Sequence, residues 1–211
     1  MFQVFGWNHV VFLATALQMT AALAAIALVC GALGGSLMVA ARLSRLRLVR
    51  AVAGTITYVA QGTPLLVQLF LAYYGAAALG MDVPPLVAAA GAFTLGSSAF
   101  LGEIWHGAIA AVPKSQREAG LAVGLRPAQV FRRIVVPQAI RPAIPPTVGF
   151  LVQLVKNTAI ASIIGYRELT RAGQLLNNAT FRPFTIFGTV ALLYFLLCWP
   201  LTLVSRRLGV R

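Results

Sequence analysis

The sequence predicts an all-α integral membrane protein of five transmembrane helices in a single domain, residues 1–211, and three observations carry that reading. Apolar residues make up 59% of the chain and charged residues 10%, against roughly a quarter charged in soluble domains; the mean hydropathy is +0.85. Stretches 10–41, 52–79, 84–110, 142–165 and 184–205 are each long and apolar enough for a bilayer crossing, which takes about 20 residues. The basic residues alternate with these stretches in a way that only an odd number of crossings segregates to one side.

All five stretches read as helices. They are continuously apolar, rich in Ala and Leu, and lack the period-two alternation of barrel strands. The first would extend about 45 Å at 1.5 Å per residue, more than a hydrocarbon core of about 30 Å, so it must tilt or project. It is preceded by MFQVFGWNHV, without Lys or Arg. That is not the positive region of a cleavable signal peptide, so the segment is expected to stay in the mature protein.

The second stretch is interrupted by Gly62-Thr63-Pro64. Proline removes a backbone hydrogen bond, and a broken membrane helix points to a transport site. Gln68 lies one turn beyond, on the same face. The third stretch carries Ser97, Ser98, Glu103 and His106, and the fourth carries Gln153, Lys156, Asn157 and Thr158. A lysine this deep costs on the order of 3 kcal/mol on insertion scales, so it should face a wet cavity or a carboxylate. Glu103 is the countercharge at hand. Either the two border a translocation pathway or they form a structural ion pair between helices. His106 reads as an interfacial polar residue, since no second ligand is spaced with it for a metal.

Orientation follows from charge. Arg42, Arg45, Arg47 and Arg50 lie between stretches one and two. Lys114, Arg117, Arg126, Arg132, Arg133 and Arg141 lie between three and four, and Arg206, Arg207 and Arg211 follow five. Only Arg167, Arg171 and Arg182 fall on the other side. The amino terminus is therefore expected outside and the carboxyl terminus in the cytoplasm. The net charge of +13 sits at membrane flanks rather than on one soluble face, which argues against nucleic acid as a partner and for membrane lipid. Cys30 and Cys198 lie in apolar runs without metal or disulfide spacing. No Walker A sequence, HExxH or nucleophile elbow is present, so no catalytic residue, metal site or nucleotide site is expected on this chain.

Between stretches three and four lies a basic insert, residues 113–141. Pro113 can open a helix through Glu118, Ala119 and Gly120 that stops at Gly124, a residue at ease in a left-handed C′ position. Arg126 precedes a proline and is pushed out of helical geometry. Pro127 can start a second short helix, 127–135, which Pro137 is expected to end. The small pair Ala119-Gly120 would let a partner's backbone approach closely.

Glu118-Ala-Gly120, then Gly124, nine residues, and Ile134-Val-Val-Pro137 resemble the EAA loop of ATP-binding-cassette (ABC) importer permeases. Gly120 stands in place of the family's second alanine, and Val136 in place of its leucine. Gln61-Gly-Thr-Pro-Leu-Leu-Val-Gln-Leu-Phe70, Glu103-Ile-Trp-His-Gly107, Ala111-Val-Pro-Lys114, Leu154 through Gly165 and Glu168-Leu-Thr-Arg171 resemble the permeases for polar amino acids within that group. Two departures bear on substrate charge: Gln61 and His106 stand where that family often has arginine.

The resemblance implies a type I importer permease fold in a bacterial inner membrane, crossing it several times. It implies a transport subunit for a polar amino acid or an opine-like compound. Partners would be two ATPases, which bind ATP and magnesium in its stead, a second permease subunit, identical or homologous, and a periplasmic solute-binding protein. Glu118, Ala119, Gly120, Gly124, Ile134 and Pro137 would form the coupling element seated on the ATPase. From membrane energetics, Gly62, Thr63, Pro64, Gln68, Ser97, Ser98, Glu103, Gln153, Lys156, Asn157 and Thr158 are the pathway candidates. A stand-alone carrier or channel, or a membrane assembly protein, are the competing classes. Nothing in five helices shows an inverted repeat of the kind carriers have.

Overall fold

The computed structural model describes residues 6–209, without the side chains of Arg206 and Leu208. Residues 1–5, used in the signal-peptide reading, and Arg211 and the Arg206 side chain, used in the orientation argument, lie outside the described residues. Among those described, every regular element is a helix.

Helix α1 (Trp7–Arg42) is 36 residues long, about 54 Å. It packs most extensively on α4 (Pro85–Ala110), through small residues. A Cβ on Gly31 would overlap the Ser97 side chain, and one on Gly34 the Ser98 side chain. One on Gly35 would come within 3.1 Å of the Gly102 amide nitrogen. In lipid there is little hydrophobic gain from pairing two helices, so the seam depends on this close approach. Gly31 meets Ser97, Gly35 meets Gly102, and Val39 clusters with Ile109. The two helices therefore run parallel.

Parallel neighbours require the chain to return between them. It does so through α2 (Arg47–Gly62) and α3 (Leu65–Ala78), a pair bent by 102° at Thr63-Pro64. The crossing expected over 52–79 is thus made of two pieces. Helix α5 (Lys114–Ala122) follows α4, and α6 (Pro127–Ile164) runs back antiparallel to it. Trp105 Nε1 donates to Thr147 Oγ1 at 3.0 Å, and the rings of Phe100 and Phe150 stack 5.5 Å apart. Helix α8 (Pro183–Gly209) is antiparallel to α6, with Ser205 Oγ donating to the Pro145 carbonyl at 3.1 Å. The late ends of α1, α4 and α8 therefore share one end of the bundle with α5.

Two expectations are corrected. Pro137 does not end a short helix, because α6 passes through it without a break. The turn Phe131–Val135 is wound as a π-helix, with Val136 N bonded to the Phe131 carbonyl. That wider turn shifts the hydrogen-bond register, so Pro137 stands second in the α-helical stretch Val136–Asn157, where a missing amide costs little. The second is an added helix, α7 (Leu169–Thr180), in a stretch to which the sequence reading assigns no element. It lies against α1 and α8, with Leu13, Ala16, Leu169, Ala172 and Val190 buried together.

Candidate functional site

The break between α2 and α3 is held by side chains. Helix α2 ends with carbonyls that the interrupted ladder leaves open. Gln68 reaches back from α3, and its Nε2 donates to Ala60 O at 2.6 Å and Thr63 O at 3.0 Å. Thr63 Oγ1 donates to Val59 O at 2.8 Å, and Gln61 Nε2 to Ala99 O on α4 at 3.3 Å. The bend is a hydrogen-bonded corner.

Inside this corner is a cavity of about 290 Å³ between α2, α3, α4 and α6. Thr63, Pro64, Gln68, Ser97, Gln153 and Asn157, all pathway candidates, line it, together with Gln61. Phe93, Phe100 and Phe150 supply apolar wall. Ser97 is 1% exposed, and its Oγ has no hydrogen-bond partner; Gln68 Oε1 is likewise buried and unpartnered. Gln153 Nε2 donates to Asn157 Oδ1 at 3.0 Å.

The other candidates lie elsewhere. Ser98 faces the α1 seam and donates to Thr94 O at 2.7 Å. Thr158 is buried and donates to Val155 O at 2.7 Å. Gly62 is exposed at the end of α2. Glu103 pairs with Arg42 of α1 and not with Lys156. Lys156 opens onto a separate cleft of about 640 Å³ against α8, beside Tyr194, Cys198 and Trp199. Lys156 stands about 100° round the helix from Asn157, toward α8.

The basic insert is compact. Helix α5 ends in a Schellman motif: Gly124 has φ +81°, its N–H bonds Leu121 O at 3.0 Å, and the Leu125 N–H bonds Gly120 O at 3.2 Å. Gly120 is buried, and a Cβ there would come within 2.6 Å of Ile134 Cδ1 and 3.0 Å of Val130 Cγ2. Its smallness therefore serves the contact between α5 and α6. Ala119 and Glu118 are exposed, as are Leu121 at 49% and Val123 at 76%. Beneath, Val130 and Val135 join Val39 and Ile109, and Arg117 Nη2 donates to Ile109 O at 3.0 Å. The insert is fastened to the ends of both α1 and α4.

One acidic group was not singled out from sequence. Glu168, 0% exposed, caps α7: its carboxylate accepts from Arg171 N at 2.7 Å, Thr170 N at 2.9 Å and Tyr194 OH at 2.8 Å. Burial pushes its carboxyl above the ordinary range, against these hydrogen bonds, which favour the charged form. A Glu directly before Leu-Thr-Arg, with Leu169, Ala172, Gly173 and Leu176 at helical spacing, was the available signal.

Membrane-length helices, one of them broken around a polar cavity, with a basic helix pair at one end, are the architecture of a membrane transport subunit. The family model for the inner membrane component of binding-protein-dependent transport systems matches residues 27–210. The chain belongs to that family and is a multi-pass inner-membrane permease subunit. Among its relatives is the L-cystine transport system permease protein TcyB of Bacillus subtilis (strain 168). It is 35% identical over 167 residues, 79% of this chain and 71% of that protein. The glutamine transport system permease protein GlnP of Escherichia coli (strain K12) is 34% identical over 155 residues, 72% of this chain and 71% of that protein. A crystal structure titled as an amino acid ABC transporter with histidines aligns with a TM-score of 0.91 at 30% identity, covering 99% of this chain and all of that one. The MetNI methionine ABC transporter in an inward-facing form shares the fold, with a TM-score of 0.71 at 21% identity over 93% of this chain and 92% of that one.

Proposed function

We propose that the chain is the permease of an ATP-driven importer for a polar amino acid or a close relative such as an opine. It works with two ATPases that hold ATP and magnesium, a second permease identical or homologous to it, and a periplasmic binding protein. Its amino terminus faces the periplasm and the 113–141 insert faces the cytoplasm. The observation that carries this reading is the insert itself: a Schellman-closed helix pair, exposing Ala119, Leu121 and Val123 beside Glu118, fastened beneath to two spans. The relatives' amino-acid names support the substrate class.

In this reading the ATPases close on binding ATP and draw the inserts together. Each insert moves as a rigid body with the ends of α1 and α4. The bundle then opens outward, and substrate released by the binding protein passes the cavity at the helix break. Gln61, Thr63, Gln68, Ser97, Gln153 and Asn157 offer it hydrogen bonds, and hydrolysis resets the cycle. Glu103 and Arg42 hold helices together at the inner end of the path, and Lys156 lies outside it. The chain contributes gating and passage, with no bond made or broken on it.

The test is co-purification and uptake. Gly120→Leu should strip the ATPase from the permease and lower uptake by more than about tenfold, while the permease remains in the membrane. Glu118→Ala together with Val123→Asp, which leave the interior contact intact, should also loosen the ATPase. A wild-type permease that purifies alone and transports without any ATPase would establish the carrier reading instead.

A further inference from the structure

We infer that the cavity at the helix break accepts ligands of no net charge and rejects cationic and anionic ones of the same size. This rests on the reading of that cavity as part of the transport path. The polar groups lining it are four carboxamides and two hydroxyls, from Gln61, Gln68, Gln153, Asn157, Thr63 and Ser97. Among the described residues, no charged side chain lines the cavity. Glu103 is tied to Arg42, and Glu168 is consumed by the cap of α7. Glu118 is exposed on α5, and Asp82 sits in the turn before α4. Lys156, the basic residue nearest in sequence, lines the other cleft.

A low-dielectric cavity without a countercharge penalises an ion far more than a dipole. The zwitterionic head is common to every amino acid and its two charges compensate each other in part, so the difference between a charged and an uncharged amino acid falls on the side chain. A charged side chain would have to shed its water against carboxamides and the rings of Phe93, Phe100 and Phe150.

The lining also points to what is accepted. Gln68 Oε1 and Ser97 Oγ are themselves buried, and the carboxamides of Gln61, Gln153 and Asn157 carry both donors and acceptors. An uncharged carboxamide or ureido group, with its N–H₂ and C=O, needs both. The volume, about 290 Å³, is at the small end of ligand cavities, which run from about 300 Å³ upward. That suits a single amino acid.

The experiment uses the permease–ATPase complex purified without the binding protein, whose own selectivity would mask the cavity's. Binding of L-glutamine against L-glutamate, and of L-citrulline against L-arginine, is measured by ligand-induced thermal shift over a concentration series. Each pair matches in size and differs in charge. The expected result is that glutamine and citrulline bind at least about tenfold more tightly than their charged counterparts. In Gln153→Glu, checked for retained ATPase, the arginine-to-citrulline ratio should rise by a similar factor, with Asn157→Asp as a second variant. Equal binding within both pairs, with arginine binding still enhanced by Gln153→Glu, overturns the charge rule and leaves the cavity as the path. A neutral preference that neither variant alters, or no binding by any of the four compounds, overturns the cavity as the path and the inference with it.

Discussion

Glu168 shows how a single polar residue fixes the outer corner of the bundle. Its carboxylate closes the first turn of α7 through two backbone amides and takes the Tyr194 hydroxyl from α8. Leu169 N, the next residue, bonds Thr20 Oγ1 on α1 at 3.0 Å. Three helices thus meet at two adjacent residues. Burial raises the folded carboxyl above its unfolded value, so the folded state binds the proton more tightly. Its contribution is complete below the ordinary carboxylate range and is lost as pH rises through the folded value. Thermal unfolding of the assembled transporter should therefore fall as pH rises through that window. In Glu168→Gln, which is neutral throughout, the dependence should be smaller; an unchanged slope would mean that Glu168 is not its source. Glu168→Ala should destabilise at every pH, by about 1–3 kcal/mol for the lost cap and the lost bond to Tyr194, whose hydroxyl keeps Thr170 Oγ1 at 3.1 Å.

At the scale of elements, the α1–α4 seam has the least slack. Gly31→Val would drive two methyls into the Ser97 side chain, and overpacking of this kind costs about 1–3 kcal/mol or more. The yield of folded permease in membranes should drop, whereas Gly54→Ala, with nothing within 4 Å of the new methyl, should leave it unchanged. The seam was invisible in the sequence because three glycines in a long apolar run change its hydropathy little and do not say which helix they meet. The breaks and caps were legible: Thr63-Pro64 bends the second crossing, and Gly124 adopts the left-handed C′ conformation that its position implied. Pro137 misled because the π turn before it restarts the α-helical register, which leaves the proline second in the new stretch, where a missing amide costs little. Helix α7 escaped because its apolar stripe is four residues among polar ones, too sparse for a reading built on long apolar runs. For the cavity, spacing brought Gln153 and Asn157 together, but Lys156 and Glu103 were joined by charge alone. Two opposite charges in a membrane protein need not be each other's partner.

Among the described residues, most of the basic ones and the insert gather at the end where α1, α4 and α8 finish. That makes orientation testable on an intact cell. With Cys30 and Cys198 replaced by alanine, a cysteine at Gln116 should react with a membrane-impermeant maleimide only after the membrane is opened. One at Met81, in the turn at the opposite end, should react from outside in cells with a permeabilised outer membrane. The reverse pattern would invert the topology and move the insert out of an ATPase's reach. The glycine seam has a further consequence in the order of synthesis. Helix α1 is made first, but the surface it needs, Ser97 to Gly102, follows more than sixty residues later. At a synthesis rate of about 5–20 residues per second, that is roughly 3–13 s. Through that interval α1 stands in lipid with its glycine stripe uncovered, and any neighbouring helix with a small-residue face can occupy it. The permease is therefore most open to mispairing while its second crossing is still being made, well before the cavity exists.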